Sequence, residues 1–260
     1  MSTEGLTLEE RRARFSRLCE AALLSAHQNG EDGIGTLGEK RLHALVKRYL
    51  CEDPDCHEVG VQSTRFVSDV RIGNEVLEVQ TGAFYPMRKK ILHYLENTDC
   101  TVTVVHPVTV RKWTCRIDAE TGTASERKRS PRPDRPIELL AEMYSLLPAT
   151  VSNRLRFRLL CIEAQDFRLE SSASKKGRRA PKRFERVPLA LIDDVTYSAP
   201  QDLIPLLPQE LPHHFAVKDF SRLTHLRGRD AYSAVRTLVA LDLITPAEPI
   251  GRAMAFERRF

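Results

Sequence analysis

The 260 residues carry 42% apolar and 29% charged side chains, an ordinary soluble composition with room for one large domain or two smaller ones. No run reaches the about 18 apolar residues of a membrane span, and Met1 to Glu10 lacks the basic start and apolar core of a signal peptide, so no membrane partner is expected and a cytoplasmic location follows. The net charge of +5 is uneven: residues 111–186 hold 19 Lys/Arg against 10 Asp/Glu, while the segments on either side are slightly acidic.

Leu6 to Gln28 has apolar residues at helical spacing (Leu8, Phe15, Leu18, Ala22) and reads as one long helix ended by Asn29-Gly30. A second helix is expected from about Leu37 to Leu50. Thr36-Leu-Gly-Glu39 ahead of it forms a capping box, in which Glu39 satisfies a backbone N–H. Strands are expected near 58–62, 65–72 and 75–80, then a helix from Tyr85 to Asn97 and a buried strand from Thr101 to Val105. Helix, hairpin, helix and strand in that order describe an α/β core.

Further on, Arg111 to Ile117 and Thr123 to Lys128 suggest a hairpin, and Ser130 to Pro136 an extended linker. A short helix is expected from Ile137 to Leu147. Strands are expected at 155–163, 166–170 and 187–195, with a basic loop between Ser171 and Lys182. Four prolines between Pro200 and Pro212 mark a boundary, which divides the chain into residues 1–199 and 200–260. The second part reads as a helix at 216–223, a turn, a helix at 229–241, and two strands (243–245 and 253–256) around a loop.

Six scattered cysteines suit reduced thiols. Cys51, Cys56 and His57 have no second ligand pair at suitable spacing, so a zinc site is not expected. Basic clusters at Arg127-Lys-Arg129, at Lys175, Lys176, Arg178 and Arg179, and at Lys182-Arg183 are the footprint of a polyanion partner, although solvated loops also carry such runs.

The chemistry gathers on the hairpin. Gly73-Asn74 between two alternating runs sets a register in which Ile72 faces Glu75, Arg71 faces Val76, Val70 faces Leu77 and Asp69 faces Glu78. Directly opposed side chains start about 5 Å apart, and like charges there repel. Such a pair either points into solvent on an edge hairpin or holds a cation. Glu78 and Gln80 share one face of their strand. Two carboxylates at bridging distance are hard oxygen ligands suited to Mg²⁺ or Mn²⁺.

Glu39 on the first core helix, Ser68-Asp69 in a hairpin strand and Glu78-Val-Gln80 on the next, followed by a helix and a strand, resemble the PD-(D/E)xK, or restriction-endonuclease-like, nuclease superfamily over about residues 34–110. Ser68 stands where the superfamily prefers Pro, and Gln80 stands at its Lys position, as in some active restriction endonucleases. The resemblance implies a mixed sheet flanked by helices. It also implies Asp69 and Glu78 as Mg²⁺ or Mn²⁺ ligands, and Glu39, Asp69, Glu78 and Gln80 as the catalytic set. An amide supplies no positive charge, so Lys89, Lys90 or the metal must supply it.

Residues 215–260 resemble a winged helix-turn-helix, which implies DNA contacts from Arg227, Arg229, Tyr232, Ser233 and Arg236 on the second helix and from Arg252 in the wing. The leading expectation is a metal-dependent DNA endonuclease gripping the phosphate backbone through Lys89, Lys90 and the 175–179 cluster, with a homodimer as a compatible assembly. The alternative is a nuclease-fold regulator or accessory protein that binds DNA without cutting it. A protein-interaction adaptor is the third reading.

Overall fold

Alternating and helical periods resolve in the computed structural model into a mixed α/β fold, described for residues 2–28, 38–61, 64–170 and 182–260. The helices are α1 (Leu8–Gln28), α2 (Gly38–Leu50), α3 (Arg88–Asn97), α4 (Leu139–Tyr144), α5 (Val217–Thr224) and α6 (Arg229–Ala240). The strands are β1 (His57–Gly60), β2 (Val67–Ile72), β3 (Glu75–Val79), β4 (Thr101–Asp118), β5 (Lys128–Arg129), β6 (Leu155–Glu170), β7 (Lys182–Tyr197), β8 (His214–Ala216), β9 (Ile244–Ile250) and β10 (Ala253–Arg258). A large mixed sheet follows the order β1-β2-β3-β4-β6-β7, with β5 paired to β4, and a smaller sheet follows the order β8-β10-β9.

The chain divides into two compact units, and the divisions fall inside β1, β4, β6 and β7 and between Arg135 and Pro136. The first unit comprises Met1–Val59, Val105–Arg135 and Leu159–Val195. Its α1 starts at a capping box, with Thr7 N–H donating to Glu10 Oε2 (2.8 Å) and Glu10 N–H to Thr7 Oγ1 (3.3 Å). Phe15 of α1 meets Tyr49 of α2 edge-on, 5.4 Å between ring centres. The Tyr49 hydroxyl donates to buried Asp194 Oδ2 on β7 (2.6 Å), and Arg11 of α1 reaches the same oxygen (3.3 Å). One carboxylate thus ties both helices to the sheet. Arg186 on β7 forks onto Asp166 of β6 at 2.6 and 3.1 Å, a bidentate pair. The cysteines are free thiols, and five of the six are buried.

The long strands depart from the expected pieces. β4 runs unbroken through Pro107 where separate strands at 101–105 and 111–117 are expected, and β6 runs unbroken through Ala164. Thr101 N–H donates to Asn74 O (3.1 Å) and Thr103 Oγ1 to Glu75 Oε1 (2.5 Å), so the start of β4 lies against the start of β3. Five-residue β3 is spent before Pro107, and a proline is tolerated where no ladder partner needs its missing N–H. Ala164, between the two pieces expected as separate strands, is buried within β6.

The second unit comprises Gly60–Val104, Pro136–Arg158 and Thr196–Phe260. Its hairpin β2–β3 turns at Gly73-Asn74, where Gly73 takes a left-handed φ of +57°. Ile91, Tyr94 and Leu95 form the buried face of α3. The last carbonyls of that helix are met by the Arg154 guanidinium, which donates to Thr98 O (2.5 Å) and to Leu95 O. α4 packs on α6, and Phe215, Phe220 and Phe256 form an aromatic core beneath the β8-β10-β9 sheet.

Candidate active site

The β2–β3 register matches the expected one at Val70–Leu77, Arg71–Val76 and Ile72–Glu75. One step beyond it, Asp69 and Glu78 follow on the two strands. Here a side chain enters the backbone pattern, because Val79 N–H donates to Asp69 Oδ2 (2.7 Å). The hairpin is not a solvated edge. Val76, Leu77, Glu78 and Val79 are all buried, so β3 is covered on both faces and Glu78 is only 3% exposed. A carboxylate so placed needs partners.

Those partners come from α3. Lys90 Nζ lies 2.5 Å from Glu78 Oε2, and the Tyr94 hydroxyl donates to Glu78 Oε1 (3.2 Å). Positions 90 and 94 are one helical turn apart, so a single face of α3 delivers both. The Tyr94 ring is held edge-on by Phe66, 6.1 Å between centres. Burial pushes the Glu78 carboxyl up to about 7, against the opposing pull of Lys90, and the neighbouring Asp69 charge adds to the rise. Burial and the Glu78 charge push the Tyr94 phenol upward, so it remains a donor. A carboxyl near 7 is half-protonated at neutral pH; it can exchange a proton or ionise against an added cation.

The structure therefore brings together Asp69, Glu78 and Lys90. Gln80 follows the last residue of β3, and its Nε2 donates to Ala83 O (2.6 Å). Glu39 lies on α2, in the first unit, and its side chain is outside the described residues, as are Lys175, Lys176, Arg178 and Arg179. Ser68, at the superfamily's Pro position, is fully buried. Sequence reasoning offered Lys90 only as one candidate for the positive charge, and it missed Tyr94. The helical spacing of the two was the available signal.

Among the described residues no three His, Cys, Asp or Glu side chains gather as a metal cluster, so the acid patch is a pair. Its two carboxylates are the hard oxygen donors that a divalent cation would take. Glu78 faces Lys90, and the Asp69 charge acts on Glu78 from beside it. His57 Nε2 is engaged with Cys51 O (2.8 Å), and the Cys51–Cys56–His57 segment forms no metal cluster.

Among the basic residues, Lys89, Arg227, Arg229, Arg236 and Arg252 are exposed. Tyr232 is exposed as well, but Ser233 is buried, so it does not face a ligand as expected. Arg127 lies over the Trp113 ring at 4.4 Å. No helix among the described residues is long and apolar enough to cross a membrane.

A family profile described as Domain of unknown function (DUF8091) matches residues 40–198. The chain belongs to the DUF8091 family. The matched segment holds Asp69, Glu78, Lys90 and Tyr94 and stops short of the β8-β10-β9 module. No curated protein and no solved structure matches the chain.

Proposed function

We infer that this DUF8091 protein is a divalent-metal-dependent nuclease that hydrolyses phosphodiester bonds in DNA. The observation that carries the reading is the contact between Lys90 Nζ and Glu78 Oε2 (2.5 Å) beside Asp69. It supplies, from α3, the positive charge that Gln80 lacks. Asp69 and Glu78 would hold Mg²⁺ or Mn²⁺, which when bound lowers the pKa of water and offsets charge on a phosphoryl group. Lys90 favours the ionised form of Glu78 and would stand where negative charge accumulates. Tyr94 fixes the orientation of the Glu78 carboxyl. The order of helix, hairpin, helix and strand supports a restriction-endonuclease-like core.

The module at the end of the chain supports a winged-helix reading. Two short helices join through His225 in a left-handed conformation, and a three-stranded sheet places exposed Arg252 in the turn between β9 and β10. Exposed Arg227 from the turn before α6, and Arg229, Tyr232 and Arg236 from α6, would meet DNA.

A second reading, DNA binding without cleavage, is favoured by the burial of Glu78 and its existing partners Lys90 and Tyr94. Plasmid cleavage with Mg²⁺ or Mn²⁺ separates the two. The parent should nick or linearise DNA, whereas Asp69→Asn and Lys90→Met should not. Equal cleavage by all three removes the nuclease assignment. Salt-sensitive binding by the parent with no cleavage under either metal transfers the chain to the second reading.

A further inference from the structure

A cleft of about 790 Å³ opens within the second unit. Tyr85 comes from the turn that leads into α3, Arg88 from the first position of α3, Tyr144 from the end of α4, Arg229 and Arg236 from α6, and Met254 from β10. Eight large apolar side chains are exposed among the described residues, and three of them (Tyr85, Tyr144 and Met254) line this one cleft. Tyr85 is 69% exposed and Met254 67%. Ordinary folding does not require side chains of this size in water, and their clustering marks a binding surface.

The charge is one-sided. No carboxylate lines the cleft, and none of its three arginines forms an ion pair among the described residues. Arg229 and Arg236 are two turns apart on one face of α6, roughly 10 Å along the axis. The segments that carry the two tyrosines are tied together. Phe84 N–H, just before Tyr85, donates to Glu142 Oε2, two residues before Tyr144 (2.8 Å), and the Phe84 ring stacks on Phe157 at 6.2 Å. The cleft thus gathers two exposed tyrosines and three arginines on segments that the fold holds together.

Each candidate occupant can be weighed on that chemistry. An acidic peptide answers the arginines and leaves the tyrosine faces unused. A DNA duplex offers phosphates but keeps its base faces stacked inside. An unpaired strand presents phosphates and bare base faces together. We propose that this cleft binds a stretch of single-stranded DNA, with bases stacked on Tyr85 and Tyr144 and phosphates paired with Arg88, Arg229 and Arg236. The assignment rests on the reading of the chain as a DNA-acting protein and adds that its substrate carries an unpaired strand.

The test is fluorescence anisotropy of the full chain with fluorescein-labelled oligothymidylate in EDTA. Tyr85→Ala should weaken binding about tenfold, while Tyr85→Phe, which keeps the stacking face, should bind within about twofold of the parent. Arg229→Ala should weaken binding and lower the salt slope by about one. Tyr85 is exposed, so its variants should melt with the parent. Three results would each overturn the proposal: equal binding by Tyr85→Ala and the parent, displacement by polyglutamate at matched charge, or a duplex that binds as tightly and responds equally to Tyr85→Ala. Tyrosine-dependent oligothymidylate binding with no cleavage under any metal removes the nuclease reading and keeps the cleft. Metal-dependent cleavage with no effect of Tyr85→Ala on binding does the reverse.

Discussion

Replacing Glu78 by glutamine keeps the side chain's shape and removes its charge. Burial holds the native carboxyl at about 7 instead of 4.5, even with Lys90 2.5 Å away. At about 1.4 kcal/mol for each tenfold change in proton affinity, ionising Glu78 in the folded protein costs about 3 kcal/mol. The folded-state pKa lies above the unfolded value, so the folded chain holds the extra proton between roughly pH 4.5 and 7. Stability is therefore lost as pH rises through that window, and the whole penalty is present above it. Glu78→Gln removes the penalty, and Lys90, with a side chain 21% exposed, keeps its access to water. In urea unfolding without divalent metal, the variant should be within about 1 kcal/mol of the parent near pH 5 and about 3 kcal/mol more stable at pH 8. The same variant should not cleave DNA. A variant that is less stable at pH 8, or a difference that does not change with pH, would refute the reasoning.

Lys90→Met removes the strongest influence favouring ionised Glu78 and should destabilise the fold by about 3 kcal/mol at pH 8, with the loss shrinking near pH 5 in the same urea assay. Arg154→Ala uncaps the carbonyls at the end of α3 and should cost about 2 kcal/mol in chemical denaturation. Tyr49→Phe leaves buried Asp194 without its 2.6 Å hydroxyl donor, and a loss of about 2 kcal/mol is expected in thermal unfolding, because Arg11 remains as a partner.

Local chemistry made the hairpin legible. Gly73 supplies the positive φ the turn requires, and the alternating runs beside it fix the register through Val70–Leu77. The helices α1, α2, α3, α5 and α6 were legible from their apolar spacing, to within about three residues at each end. The long strands were not. Pro107 reads as a breaker in isolation, and only the shortness of β3 explains why it is tolerated. The ion pairs that join strands, such as Arg186 with Asp166, depend on tertiary neighbours that no local pattern encodes.

Within the site, the acid pair could be read from pairing geometry, but the burial of Glu78 could not. Alternation predicts one buried face for a strand, and β3 is covered on both. Lys90 and Tyr94 reach Glu78 because α3 returns across the hairpin, an event set by packing rather than by spacing. Met254 and Tyr144 gave no sign in sequence of sharing a cleft, because they lie far apart in the chain and meet only in the fold.

Anomalous diffraction from crystals soaked in Mn²⁺ tests most directly whether the Asp69/Glu78 patch is a metal centre. The account predicts a peak within coordination distance of both carboxylates, lost in Asp69→Asn. An Asp69/Glu78 pair without a peak, in crystals that take up Mn²⁺ elsewhere, would contradict it.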